Sequence, residues 1–170
     1  MKAKSYRSIR GQLYTRLEYI KASPHTRITK FNMGVDNPDY DVELSLVANE
    51  RVLIRDNALE AVRISVNRNL SKRIKDEFYL TIIPFPHHIL RENKMMTGAG
   101  ADRLSEGMRR AFGKVSGRAA AVEKGQKILT VKTFKKNIEV VKRALKIASS
   151  KIPKGGRILI EPLAKTREES

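Results

Sequence analysis

Residues 107–118 read GMRRAFGKVSGR, which sets Arg109, Arg110, Lys114 and Arg118 among Gly107, Gly113 and Gly117, with Phe112 and no acid. Glycine lets backbone amides come close to an anion and arginine offers a planar donor fork, so this composition supports phosphate binding. A Walker A loop needs G-x-x-x-x-G-K-[ST], with the hydroxyl holding magnesium. Here residues 108–112 separate Gly107 from Gly113-Lys114 and Val115 follows, so both the spacing and the metal ligand fail. The run Gly98-Ala99-Gly100-Ala101-Asp102 lacks the third glycine of a dinucleotide fingerprint, and Lys94-Met95-Met96-Thr97 before it makes a poor strand. His87, His88 and Glu92 are metal-ligand types, but adjacent residues of an extended segment point to opposite faces and do not converge on one ion. Ser105 and Ser116 have no activating base beside them in sequence. With no cysteine, thiolate catalysis and thiolate metal ligation are excluded. No cofactor, metal or small-molecule substrate is expected.

What remains is a broad electrostatic footprint. The 170 residues carry 35 Lys and Arg against 18 Asp and Glu, a formal net charge of +17. A polyanion is the leading partner. No run of about 18 apolar residues is present to span a bilayer, so nucleic acid is favoured over a membrane. The basic start MKAKSYRSIRGQLYTR lacks the apolar stretch of a signal peptide, and a cytoplasmic location is expected.

The elements that would position these cations follow from periodicity. Residues 1–26 form a basic arm expected to order against its partner; Tyr6, Tyr14 and Tyr19 lie among its charges, where they either stack on bases or tack the arm to the protein's own core. Ile28 to Met33 reads as a short strand, and Val42, Leu44, Leu46 and Ala48 alternate with Glu43 and Ser45 as a half-buried strand does. Asp56-Asn57 signals a helix start, with Leu59, Val62, Val66 and Leu70 on one face to about Lys72, and Arg63, Arg68 and Arg73 on the other. Phe78, Leu80 and Ile82 alternate as a strand closed by Pro84 and Pro86. Residues 87–118 break the pattern and read as one extended loop, with a short helix over Asp102 to Ala111 and with Phe112 either a base-stacking platform or, as the simpler expectation, its half-buried anchor. Ala119 to Val122 and Ile128 to Val131 are strands joined at Lys124-Gly125; Thr133 caps a second helix striped by Ile138, Val141, Leu145 and Ala148; Arg157 to Glu161 closes the chain as a strand. The fold class is therefore α+β, a two-layer sandwich of two helices on a mixed, mainly antiparallel sheet, in one domain over residues 1–170.

Several long stretches resemble, in order, one family of large-subunit ribosomal proteins, called L-ten-e in archaea and eukaryotes and L-sixteen in bacteria. They are YRSIRGQLYTR, ALEAVRISVNRNLSK, FYLTIIPFPHHILRENK and KMMTGAGADRLSEGMRRAFGK. The chain departs from the family's pattern at Arg110, where many members carry a small residue, and at Val115, where many carry proline. Thr97 stands where eukaryotic members carry cysteine, which points to an archaeal chain. The resemblance implies a structural, non-enzymatic constituent of the large subunit that joins it late in assembly. It implies large-subunit rRNA and neighbouring ribosomal proteins as partners, with the loop directed toward A-site tRNA and the peptidyl transferase region. Arg7, Arg10, Lys94, Arg103, Arg109, Arg110, Lys114 and Arg118 are the expected RNA contacts, the arm members from charge and the loop members from charge and resemblance together. The rival classes are an extraribosomal RNA-binding regulator and an enzyme acting on RNA or nucleotides.

Overall fold

In the computed structural model, residues 2–94, 98–100, 108–109 and 111–163 are described. Their strands are β1 (Asn32–Gly34), β2 (Val42–Ala48), β3 (Val52–Arg55), β4 (Phe78–Ile82), β5 (His88–Glu92), β6 (Lys114–Val122), β7 (Lys127–Thr133) and β8 (Gly156–Pro162). Their α-helices are α1 (Asp56–Ile74) and α2 (Ile138–Ser150).

The α+β, two-layer arrangement is as expected, but the sheet is divided. Five strands run in the order β1-β4-β7-β2-β8 and three in the order β3-β6-β5, every pairing among them antiparallel. The division comes from two crossings made side by side. β2 passes into β3, and β6 into β7, at one corner, where Ala48 N–H donates to the Gln126 carbonyl and Gly125 N–H to the Ala48 carbonyl, both at 3.0 Å. Arg51 and Glu123 pair across the same corner at 2.8 Å. The strands flanking the Lys124-Gly125 turn thus lie in different sheets instead of forming a hairpin.

α1 binds the two sheets into one core. Leu59, Val62, Val66, Leu70 and Ile74 recur at helical spacing and are buried with Leu44, Leu46, Leu80 and Val131 of the large sheet and Ile54, Ala120 and Val122 of the small one. Its start differs from expectation. Arg55 is the capping residue and Asp56 the first helical one, 4% exposed, its carboxylate accepting from Arg27 N–H at 3.1 Å and Asn57 N–H at 2.9 Å. A carboxylate there satisfies amides that the first turn leaves unpaired and suits the positive end of the helix dipole.

α2 starts at Asn137, not Thr133. Thr133 ends β7 in the core, and its hydroxyl is committed to the Glu77 carbonyl at 2.9 Å, so it is not free to cap. The stripe Val141, Leu145 and Ala148 is buried as expected, with Ala144 beside it and Ile138 only partly covered. β2 is buried on both faces, Ser45 and Val47 included. It runs between β7 and β8, and Lys127, in register with Val47, reaches Glu43 at 3.0 Å and Glu161 at 2.6 Å along the face that alternation assigns to solvent.

β1 is held against β4 by a close approach. Gly34 has φ +91°, and a Cβ there would stand 2.1 Å from the Phe78 carbonyl oxygen. Gly11 has a similar φ of +78° with open space around it. Alanine at Gly11 incurs backbone strain alone, about 1 kcal/mol; alanine at Gly34 adds a steric clash and costs more. Urea midpoints of the two variants should differ in that order, and equal midpoints would refute the close packing of β1 on β4.

Candidate nucleic-acid interface

The arm is not free-standing. Residues 2–26 wrap the small sheet, starting at its β3 edge, where Ser8 bridges Val52 and Leu53 N–H donates to the Arg7 carbonyl at 2.9 Å. Tyr6, Ile9 and Leu13 then pack on Leu53, Leu90 and Ala119, the face turned away from α1. Thr15 Oγ1 and His88 Nδ1 share a hydrogen bond at 2.5 Å on β5, and Arg118 Nη2 donates to Ser23 Oγ at 2.8 Å on the return. The expectation that the arm orders against its partner is therefore corrected: much of it is ordered by apolar cover that the small sheet needs. The tyrosines divide accordingly. Tyr6 joins this satellite core, while Tyr14 and Tyr19 stand out, 80% and 73% exposed.

The segment expected as one loop over 87–118 narrows. Its flanks are β5 and β6, paired from His88↔Ala119 to Glu92↔Lys114, so that residues 93–113 connect two strands. The base of this connection is tightly closed. A Cβ on Gly113, at φ +77°, would come within 2.6 Å of the Glu92 carbonyl carbon. Arg91 Nη1 donates to the Gly113 carbonyl at 3.2 Å, and its guanidinium lies 4.2 Å from the Phe112 ring centre. Phe112 is 78% exposed, so it is not the half-buried anchor expected; its support is the Arg91 cation, not the core.

Of the expected contact residues, Arg10, Lys94, Arg109 and Lys114 are exposed and Arg7 is half-buried. Arg118 is half-buried and ties down the arm. Arg103, Arg110 and the short helix expected over 102–111 fall wholly or partly outside the described residues. Arg7 lies at the β3 edge of the small sheet, Lys114 and Arg118 lie along β6, Arg10 lies on the arm, and Lys94 lies just beyond β5. Two cations that residue-type reasoning did not single out join them. Arg91 could have been noticed as the charge within the strand-like HILRE, and Arg55 as the charge closing the apolar run VLI.

The ion pairs of the described residues lie away from the arm, β5 and β6. Pairs of the described residues are Arg51–Glu123, Arg63–Glu60, Lys127 with Glu43 and Glu161, Lys132–Asp36, Lys136–Glu77, Lys142–Glu139 and Lys154–Glu50. They occupy the large sheet, the helices and the corner. Among the described residues, no Lys or Arg of the arm, β5 or β6 forms a salt bridge with a carboxylate, although Glu92 of β5 has Lys94 as a charged neighbour. The arrangement is a pre-positioned cationic surface with exposed rings, suited to phosphates and bases.

The model of the family described as ribosomal protein L16p/L10e matches residues 9–159. Two relatives carry the name large ribosomal subunit protein uL16. That of Methanoculleus marisnigri is 51% identical over 160 residues, 94% of each chain. That of Saccharolobus solfataricus is 50% identical over 167 residues, 96% of this chain and 94% of its own.

The junction of arm and sheet carries a titratable group. Burial, reinforced by the neighbouring His87, holds the His88 imidazole below its ordinary value of 6.5. The folded state thus prefers the neutral ring, and the stability contributed is complete above that value and lost as pH falls below it. The wild-type melting temperature should drop from pH 7.5 to pH 5 by more than that of His88→Gln. Parallel pH profiles would show that His88 does not couple the arm to protonation.

Proposed function

The chain belongs to the L16p/L10e family of ribosomal proteins, and from that premise we propose that it is a structural constituent of the large subunit, bound to large-subunit rRNA through the arm, β5 and β6. It acts in translation by binding and not by turnover, in the cytoplasmic ribosome, with neighbouring ribosomal proteins as further partners. The observation that carries the reading is the density of positive charge on the arm, β5 and β6, where Arg7, Arg10, Arg91, Lys114 and Arg118 form no salt bridge among the described residues and lie beside exposed rings. A protein that folds for its own sake has no reason to concentrate like charge there, because self-repulsion destabilises it.

Arg7, Arg10, Lys94, Arg103, Arg109, Arg110, Lys114 and Arg118 are proposed as RNA contacts, with Arg118 also fastening the arm. The 93–113 connection, clamped at its base by Arg91 and Gly113, is proposed to reach toward A-site tRNA and the peptidyl transferase region. Tyr14, Tyr19 and Phe112 supply exposed rings for stacking on unpaired bases.

Binding to isolated large-subunit rRNA tests this. Each of Arg10→Gln, Lys94→Gln, Arg109→Gln and Lys114→Gln should weaken binding by roughly five- to eightfold near 0.1 M salt and flatten the log-log salt slope by about 0.7–0.9. Lys142→Gln, which removes a cation already paired with Glu139, should leave the slope unchanged. Nucleotide hydrolysis lost in Lys114→Ala would instead favour an enzyme. A chain sedimenting mainly free of the large subunit in low salt would favour an extraribosomal regulator.

A further inference from the structure

Beside Arg55, where β3 passes into α1, lies a cavity of about 320 Å³ whose lining includes Arg27, Arg55, the carboxylate-bearing Asp56, Asn57, Ser116 and Gly117. The Arg55 guanidinium is the unusual group in it. Its Nε is sealed from solvent with no hydrogen-bond partner, and no carboxylate pairs with it among the described residues. Its guanidinium lies 5.8 Å from the Tyr6 ring centre. Arg55 as a whole is half-buried and lines the cavity, and a partly desolvated guanidinium without an acceptor is favourably completed by an anion. The Nε of Arg118, next to Gly117 in β6, is likewise buried without a partner.

Gly117 borders the fork: a Cβ there would lie in ordinary van der Waals contact with Arg55 Nη2, at 3.7 Å. The start of α1 is not what draws the anion, because Asp56 already takes the amides of Arg27 and Asn57. What offsets that carboxylate is the pair Arg27 and Arg55, both without acidic partners among the described residues. The site opens where the arm returns along β6, within the cationic face described above.

We infer that this cavity takes one backbone phosphate of the rRNA, gripped by the Arg55 fork and Arg27 in front of Gly117. The inference rests on the rRNA-binding reading and adds a buried, geometrically defined contact to it. A planar guanidinium grips two phosphate oxygens at once, whereas the exposed lysines of the arm act as point charges. Arg55 is therefore an anchor that sets the register of the small sheet on the RNA backbone.

Full-length wild type, Arg55→Gln, Arg55→Lys and Gly117→Ala should be titrated with large-subunit rRNA across a salt series, with Arg10→Gln as the exposed-cation control. Arg55→Gln should lose about eightfold in affinity near 0.1 M salt, with a slope flatter by about 0.7–0.9. Arg55→Lys should keep the slope but lose affinity, since it retains charge without the fork. Gly117→Ala should fold with an unchanged urea midpoint and still bind less tightly, so that the site stays testable if Arg55→Gln unfolds. Wild type failing to bind rRNA would overturn the function proposed above. Wild type and Arg10→Gln behaving as stated, with Arg55→Gln and Gly117→Ala indistinguishable from wild type, would overturn this site alone. Weaker retention in the large subunit with unchanged rRNA affinity would assign the cavity to a carboxylate of a neighbouring protein and overturn the phosphate.

Discussion

Burial of one helical stripe organises the molecule. Leu59, Val62, Val66 and Leu70 are fully enclosed, and they meet side chains from both sheets at once. Each such side chain contributes about 1.5–3 kcal/mol relative to exposure. Without α1 the sheets would be linked by the β4–β5 connection and by the corner, with its few backbone hydrogen bonds and the exposed Arg51–Glu123 pair, which is worth little in water. With it, the small sheet is fixed in position and its opposite face, Leu53, Leu90 and Ala119, must find cover elsewhere. The arm provides that cover with Tyr6, Ile9 and Leu13, and its cations are carried into place as a consequence.

The ion pairs of the described residues fall on the large sheet, the helices and the corner, some across neighbouring strands, such as Lys127 with Glu43 and Glu161, although helix cations such as Arg68, Lys72 and Arg143 have none there. Around the small sheet the stabilising contacts are apolar or neutral: a satellite core, a Thr15–His88 hydrogen bond, and Arg118 on Ser23. Electrostatic attraction to a polyanion is available there without first breaking an internal ion pair, which would cost affinity. Arg91 shows the same economy, since its cation supports an exposed ring and a loop-base carbonyl instead of neutralising an acid.

The fold class, both helices and most strands were legible because their signals are local and periodic. The α1 stripe and the β4 alternation appear in the structure residue for residue. Boundaries moved where a side chain was claimed by a distant partner: Thr133 by the Glu77 carbonyl, and Asp56 by the amide of Arg27. At the interface, the cation-rich arm and the Gly- and Arg-rich connection were visible as composition. Arg55 was not, since a single arginine after an apolar run is an ordinary strand end until its surroundings are known. Nor was the exposure of Phe112, because a ring in a polar stretch reads equally as an anchor or as a platform.

The sequence by itself determined that this is a basic α+β protein of the ribosomal type, with its family signature in long ordered stretches and its nucleotide-enzyme motifs broken in spacing. Those properties are carried by residue types and their intervals. Only the tertiary structure decided that the sheet divides, that the arm is part of the fold, and which cations form ion pairs. Each of these depends on contacts between residues far apart in the chain, such as Arg7 with Leu53, Ala48 with Gln126 and Ser23 with Arg118. Register and pairing of that kind are set by which surfaces remain uncovered once α1 is buried, and no local pattern encodes that remainder.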